Sequence, residues 1–204
     1  MPRVVKKPQE RKAEIIDAAH DLFQQKGYDI VTMQDVMNQL GIAKGTIYHY
    51  FRSKEELLEA VIEKISEEVI HKMRTIVEQA KGSALEKLEA LVEAGRLEAG
   101  SRVLDALHKQ GNESMHTRLL VATLMKQAPL YAELIEQGCK EGLFQTDTPL
   151  ECAELMLSGI QFLTDLGIHP WTEETLQRRA QAFPKLIEQL LRAPKGAFGF
   201  LLNP

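Results

Sequence analysis

Between Thr32 and Glu56 the chain reads TMQDVMNQLGIAKGTIYHYFRSKEE, a stretch whose helix boundaries are written in its side chains. Thr32, followed three residues later by Asp35, supplies a hydroxyl and a carboxylate for the orphan amides that open a short helix. That helix turns Met33, Val36, Met37 and Leu40 inward. Gly41 follows at once, able to take the positive φ of a sharp turn between helices, and Ile42 plugs the turn with an apolar side chain. A second short helix is expected from about Ala43 to Tyr50, and Ser53 with Glu56 forms another capping box that opens a much longer helix. The pattern is that of a helix-turn-helix. Its second helix presents Lys44, Thr46, Tyr48, His49 and Tyr50, one cation with hydroxyls and flat rings, a mixture suited to phosphates and base edges.

The run from Leu40 through Leu58, LGIAKGTIYHYFRSKEELL, resembles the signature of the tetracycline-repressor family of bacterial regulators. Ile15, Ala19, Leu22, Phe23, Gly27, Tyr28 and Thr32 also fall where that family places its first-helix core and the entry to its second helix. The resemblance implies a DNA-binding head formed by residues 1–54 and a helical ligand-binding and dimerisation body formed by residues 55–204. Position by position it points to Thr32, Gln34, Lys44, Gly45, Thr46, Tyr48, His49, Tyr50 and Lys54 as DNA contacts, with Tyr48 and Lys54 on phosphate. Ala43 departs from it: relatives often carry there a small hydroxyl residue able to cap the recognition helix.

The net charge of −4 hides an asymmetry that agrees with this reading. Residues 1–54 hold nine Lys or Arg against six acids, so the head is +3 and the remainder −7. So mild a basic head implies that tight binding needs two heads on one operator. Pro2 to Arg11 reads as an arm whose cations reach phosphate or a minor groove, or equally as a solvated tail.

Downstream, period-3.6 apolar spacing recurs and no period-2 segment supports a strand. Leu58, Val61, Ile62, Ile65, Val69, Met73 and Ile76 mark a helix from Lys54 of about 27 residues, roughly 40 Å long, joining head to body. A stretch from Leu85 to Leu107 follows, interrupted near Gly95 and Gly100. One helix then runs from Asn112 to about Gln127, and another begins at Pro129 and stops at Gly142. Thr148 and Thr172 open the last two. The expected fold is all-α, with about nine helices.

Those last two carry apolar stripes that suit a four-helix dimer interface: Leu155, Gly159, Phe162, Leu163 and Leu166 on one, and Leu176, Ala180, Phe183, Ile187, Leu190 and Leu191 on the other. The competing reading is that they close the chain's own core. The resemblance also implies a small-molecule effector pocket in the body. Candidate linings are Met73, Arg96, Leu104, Leu107, His108, Met115, Leu119, Met125, Tyr131 and Phe162, a Met-containing apolar set that fits a hydrophobic effector.

Other chemistries find little support. No nucleophile motif, phosphate-cradling glycine loop or HExxH run is present, so neither catalysis nor a cofactor is expected. Cys139 and Cys152 are too few for a thiolate zinc site, and His108, Glu113 and His116 show no diagnostic metal spacing. The opening residues lack the apolar core of a signal peptide, and the longest strongly apolar run, Leu119 to Met125, cannot span a bilayer, so a cytoplasmic protein is expected. Together with the residues, the resemblance implies a dimeric, ligand-responsive repressor on a double-stranded, pseudo-palindromic DNA operator. The alternative is a helical adaptor that binds protein through Tyr48, His49 and Tyr50.

Overall fold

The computed structural model describes residues 7–99, 108 and 113–202. Among them are eight α-helices and no strand: α1 (Pro8–Lys26), α2 (Met33–Leu40), α3 (Lys44–Tyr50), α4 (Lys54–Gln79), α5 (Ala84–Ala99), α6 (Glu113–Lys140), α7 (Pro149–Thr164) and α8 (Glu173–Leu191). A single 3-10 turn, Gly199–Leu202, follows α8. Contacts divide the chain into two compact units, which part within α4, between Glu67 and Glu68, and again within α6, between Met115 and His116.

The first unit is built on α1 to α3 and the start of α4. Pro8 sits in the first turn of α1, so Gln9 to Arg11 are helical, not part of an extended arm. Ile15, Ala18, Ala19, Leu22 and Phe23 form the buried face of α1 and pack with Val36, Met37, Ile47, Phe51, Leu57 and Leu58. Gly27 ends α1 at φ 86° and Gly41 ends α2 at φ 61°, both in conformations that cost a side-chain-bearing residue free energy.

The second unit contains the rest of α4, α5, α6 from His116 onward, α7 and α8. Met73, Leu88, Leu91, Leu130, Leu134, Ile135, Ala153 and Leu191 make a continuous apolar core. Two expected breaks are absent. Gly95 lies inside α5, and Pro129 lies inside α6, which runs unbroken where two helices were expected. Proline forfeits one backbone hydrogen bond at about 3 kcal/mol. Here it is exposed, while Ala128, Leu130, Tyr131, Ala132, Leu134 and Ile135 around it are buried, and that packing carries the helix through. Among the described residues, the segments on either side of Pro129 are thus one helix and not two.

The apolar tail also finds its place. Phe198 is buried, stacks on Phe144 with ring centroids 5.8 Å apart, and lies 5.8 Å from the ring of Phe200. Beside Phe144, α6 comes very close at Gly138: a Cβ there would stand 2.2 Å from Phe144 Cδ2. Gly138→Ala should therefore destabilise the chain by about 1–3 kcal/mol through overpacking, against the gain near 1 kcal/mol usual for Gly→Ala in a helix. Gly95→Ala, where a Cβ meets nothing within 4 Å, should show that usual gain. Denaturant midpoints of the two variants check the contrast.

Candidate nucleic-acid interface and body cavity

The expected local devices are present at atomic detail. Thr32 Oγ1 accepts from the Asp35 amide at 3.2 Å, and Asp35 Oδ2 accepts from the Thr32 amide at 2.8 Å, a complete capping box. Thr32 Oγ1 also donates to Asp35 Oδ2 at 2.6 Å, and this hydrogen bond first, with that from the Thr32 amide second, holds the Asp35 carboxyl below the usual carboxylate range. Ser53 Oγ accepts from the Glu56 amide at 3.2 Å, while the Glu56 carboxylate reaches back to the Arg52 amide at 2.6 Å, one residue earlier than a strict box. Ala43 begins α3 with no side-chain cap, in keeping with its departure from the family pattern.

With Ile47 and Phe51 turned into the core, α3 is fixed with its other face outward. Tyr48 is 42% exposed, and Lys44 Nζ stands 5.6 Å from its ring centroid. His49 is exposed and meets half-buried Tyr50 edge to face, with ring centroids 5.0 Å apart. Thr46 is half-buried and Gly45 exposed. No protein atom lies within 4 Å of a Cβ built on Gly45, so the fold itself does not require glycine there. A backbone open to close approach by a partner is one use of it. Exposed Gln34 donates to Asn38 at 2.8 Å. Thr32, Gln34, Lys44, Tyr48 and Lys54 come together along one shallow groove of about 400 Å³, floored by Met33 and Met37.

Lys54 is the exception among these residues. The resemblance placed it on phosphate, but its ammonium turns into the protein. It donates to the carbonyls of Tyr28 at 2.9 Å, Val31 at 3.0 Å and Asp29 at 3.4 Å, and lies 4.2 Å from the Tyr28 ring centroid. An ammonium has three donors, and the loop before α2 takes all three. Tyr28 is itself buried and donates to Glu55 at 3.4 Å; burial, then the negative Glu55, push its hydroxyl up to about 12.

In the second unit a cavity of about 520 Å³ opens between α5, α6, α7, α8 and the C-terminal turn. Its walls include Leu88, Val92, Gly95, Tyr131, Met156, Leu157, Ile160, Thr164, Phe198, Phe200 and Leu201. Of the residues expected to line a pocket, Tyr131 does. Met73 is buried in the core, Met115 and Leu119 are half-buried, and His108, Met125 and Phe162 are exposed; none of the six lines this cavity. Leu104, Leu107 and the side chain of Arg96 lie outside the described residues. The tail's Phe198, Phe200 and Leu201 were missed as lining, although so apolar a chain end was itself a signal.

The two association stripes also separate. On α7, Leu155 and Phe162 are exposed, with Gly159 and Leu163 half-buried; Leu166, also exposed, lies in the turn just past the helix end at Thr164. On α8, Ile187 and Leu191 are buried, and exposed Ala180 and half-buried Phe183 join Ile187 in the lining of the cavity, so part of this stripe faces the chain's own interior. Leu176 and Leu190 are half-buried, and Leu186, which the stripe omitted, is exposed. Periodicity identifies an apolar face without saying what covers it. Both cysteines are free thiols around Thr146, Cys152 at 3.3 Å from its hydroxyl and Cys139 at 3.9 Å from its carbonyl oxygen. Buried His116 pairs with Asp165 at 2.9 Å.

Two predictions follow from the head. Lys54→Met keeps the aliphatic stem but frees three carbonyls, and should cost about 1–2 kcal/mol of local stability, read as faster amide exchange across residues 28–35. Asp35→Asn should loosen α2 at neutral pH. A depressed carboxyl contributes stability above its ordinary pKa and loses it as pH falls through the folded value, so the difference from the parent should close below the usual carboxylate range. Thermal unfolding of both proteins along a pH series checks it.

The geometry agrees with known proteins. Residues 15–61 match the family model for bacterial regulatory proteins, tetR family, and residues 99–186 match a tetracyclin repressor-like C-terminal domain. An uncharacterized HTH-type transcriptional regulator of Bacillus subtilis (strain 168), YfiR, is 31% identical over 160 residues, covering 73% of this chain and 76% of that protein. The HTH-type transcriptional repressor KstR2 of Rhodococcus jostii (strain RHA1) is 25% identical over 191 residues, covering 90% and 92%. A solved transcriptional regulator from Cytophaga hutchinsonii superposes with a TM-score of 0.68 at 23% identity, over 87% of this chain and 95% of its own, and shares the all-helical fold. Helix-turn-helix geometry, an exposed α3 face and these likenesses agree: the chain belongs to the tetR family and is a DNA-binding transcriptional regulator, not an enzyme.

Proposed function

We propose that two copies of this chain bind a pseudo-palindromic operator as a repressor and release it when a small hydrophobic effector enters the body. The observation that carries the DNA-reading part is the outward face of α3, where Lys44, Gly45, Thr46, Tyr48, His49 and Tyr50 stand on a buried Ile47 and Phe51. Thr32 and Gln34 extend this surface from the start of α2. In this reading residues 1–54 contact DNA and residues 55–204 bind ligand and dimerise. Lys54 serves by fixing the loop before α2.

Two heads are needed because each is only mildly basic. Adjacent major grooves on one face of the duplex lie about 34–36 Å apart, so a twofold pair reads an inverted repeat. The exposed apolar row Leu155, Phe162 and Leu166, with Gly159 allowing close approach, supports α7 as an association surface, and Leu186 adds the outer side of α8. The apolar cavity supports the effector.

Selection of random duplexes with the purified protein tests the proposal. It should enrich an inverted repeat bound by two chains, with affinity that falls steeply as salt rises. Tyr48→Ala removes an exposed side chain, so it should leave folding within about 0.5 kcal/mol of the parent and abolish enrichment. A folded protein that enriches nothing would overturn the proposal.

A further inference from the structure

The body cavity is chemically simpler than its size suggests. Its lining among the described residues is uncharged, and of these only Tyr131 and Thr164 carry a hydroxyl. Thr164 donates to the Ile160 carbonyl at 2.8 Å and so has used its proton. Tyr131 is 7% exposed and makes no hydrogen bond with a described residue. Its burial raises the hydroxyl's pKa well above the ordinary tyrosine value, so it keeps its proton and remains a donor. A hydroxyl that lines a cavity and has no protein acceptor marks where a ligand atom or water supplies one.

We propose that this cavity takes a neutral, mainly aromatic or hydrocarbon molecule with one hydrogen-bond acceptor, and that Tyr131 reads that acceptor. The assignment rests on the reading of the body as the effector-binding part. Among the described residues no lining cation offsets the loss of water around a carboxylate, and no lining carboxylate offsets that around a cation, so a neutral ligand is favoured. Phe183, Phe198 and Phe200 supply flat apolar surface. Gly95 leaves open space on the α5 side, since a Cβ there meets nothing within 4 Å.

Three probes of similar shape separate these requirements: benzophenone, which is neutral with a carbonyl; diphenylmethane, which lacks the acceptor; and diphenylacetate, which is anionic. Each is titrated against Nile red bound to the full-length protein. Benzophenone should displace the dye at concentrations about tenfold below those of the other two, the ratio that one unmet hydrogen bond implies. Tyr131→Phe keeps the ring, and should erase the advantage of benzophenone over diphenylmethane while leaving diphenylmethane itself unchanged. Gly95→Leu fills the open space from a helix position that tolerates a side chain, and should weaken all three probes by about tenfold or more. Tighter binding of diphenylacetate, an unchanged ratio in Tyr131→Phe, or probe binding indifferent to Gly95→Leu would each overturn the assignment. Probe binding in the expected order while operator DNA stays bound would uphold the ligand class and refute the effector role alone.

Discussion

The ammonium of Lys54 fixes the geometry on which the DNA-facing surface depends. It gathers the carbonyls of Tyr28, Asp29 and Val31 from the loop between α1 and α2, and so joins that loop to the first turn of α4. Thr32 begins α2 immediately after this point, and Gly41 turns the chain from α2 into α3. With Ile47 and Phe51 buried, only one face of α3 is left to solvent. A short helix of seven residues is too small to be stable alone, so its presentation is a property of the surrounding packing. Lys54 is thus better understood as a positioning residue than as a phosphate clamp.

The second unit shows one helix serving two apolar requirements. Along α7, Ala153, Met156 and Ile160 face the core and the cavity, while Leu155 and Phe162 face outward, as does Leu166 in the turn that follows. A surface helix normally carries one apolar stripe. A second stripe on the opposite side calls for a partner of its own, and exposed apolar rows of this kind are what twofold association covers. The cavity exists because side chains from α5, α6, α7, α8 and the tail fail to close on one another there, which no single element determines.

How far the sequence could be read follows from the range of the forces involved. Thr32 with Asp35, Gly41, and Ser53 with Glu56 act over three or four residues, so the helix-turn-helix was readable to within a residue. Pro129 misled because its local cost was legible while the long-range packing of Leu130, Leu134 and Ile135 that offsets it was not. The stripe on α8 was found correctly as apolar, yet Phe183 and Ile187 face a cavity and Leu191 the core, a distinction set by what lies opposite. Tyr131 was anticipated in the pocket, but Phe198 and Phe200 reach it from the chain's far end, beyond any local pattern. Lys54 stands out in the motif, but spacing cannot show which way an ammonium turns, and here it lies on the carbonyls of Tyr28, Asp29 and Val31. The adaptor alternative, which the exposed rings alone left open, is not favoured once the family is established.

The division of labour between two lysines is the most direct point of attack. A lysine that neutralises a phosphate contributes about one counterion to the slope of log affinity against log salt, and a lysine engaged within the protein contributes none. The measurement is that slope on one operator duplex for the parent, Lys44→Gln and Lys54→Gln. The account predicts that Lys44→Gln flattens the slope by about one per head, and that Lys54→Gln weakens binding at every salt concentration with the slope intact. A slope flattened by Lys54→Gln and untouched by Lys44→Gln would contradict it, placing Lys54 on the phosphate backbone and leaving the loop before α2 to be held by other means.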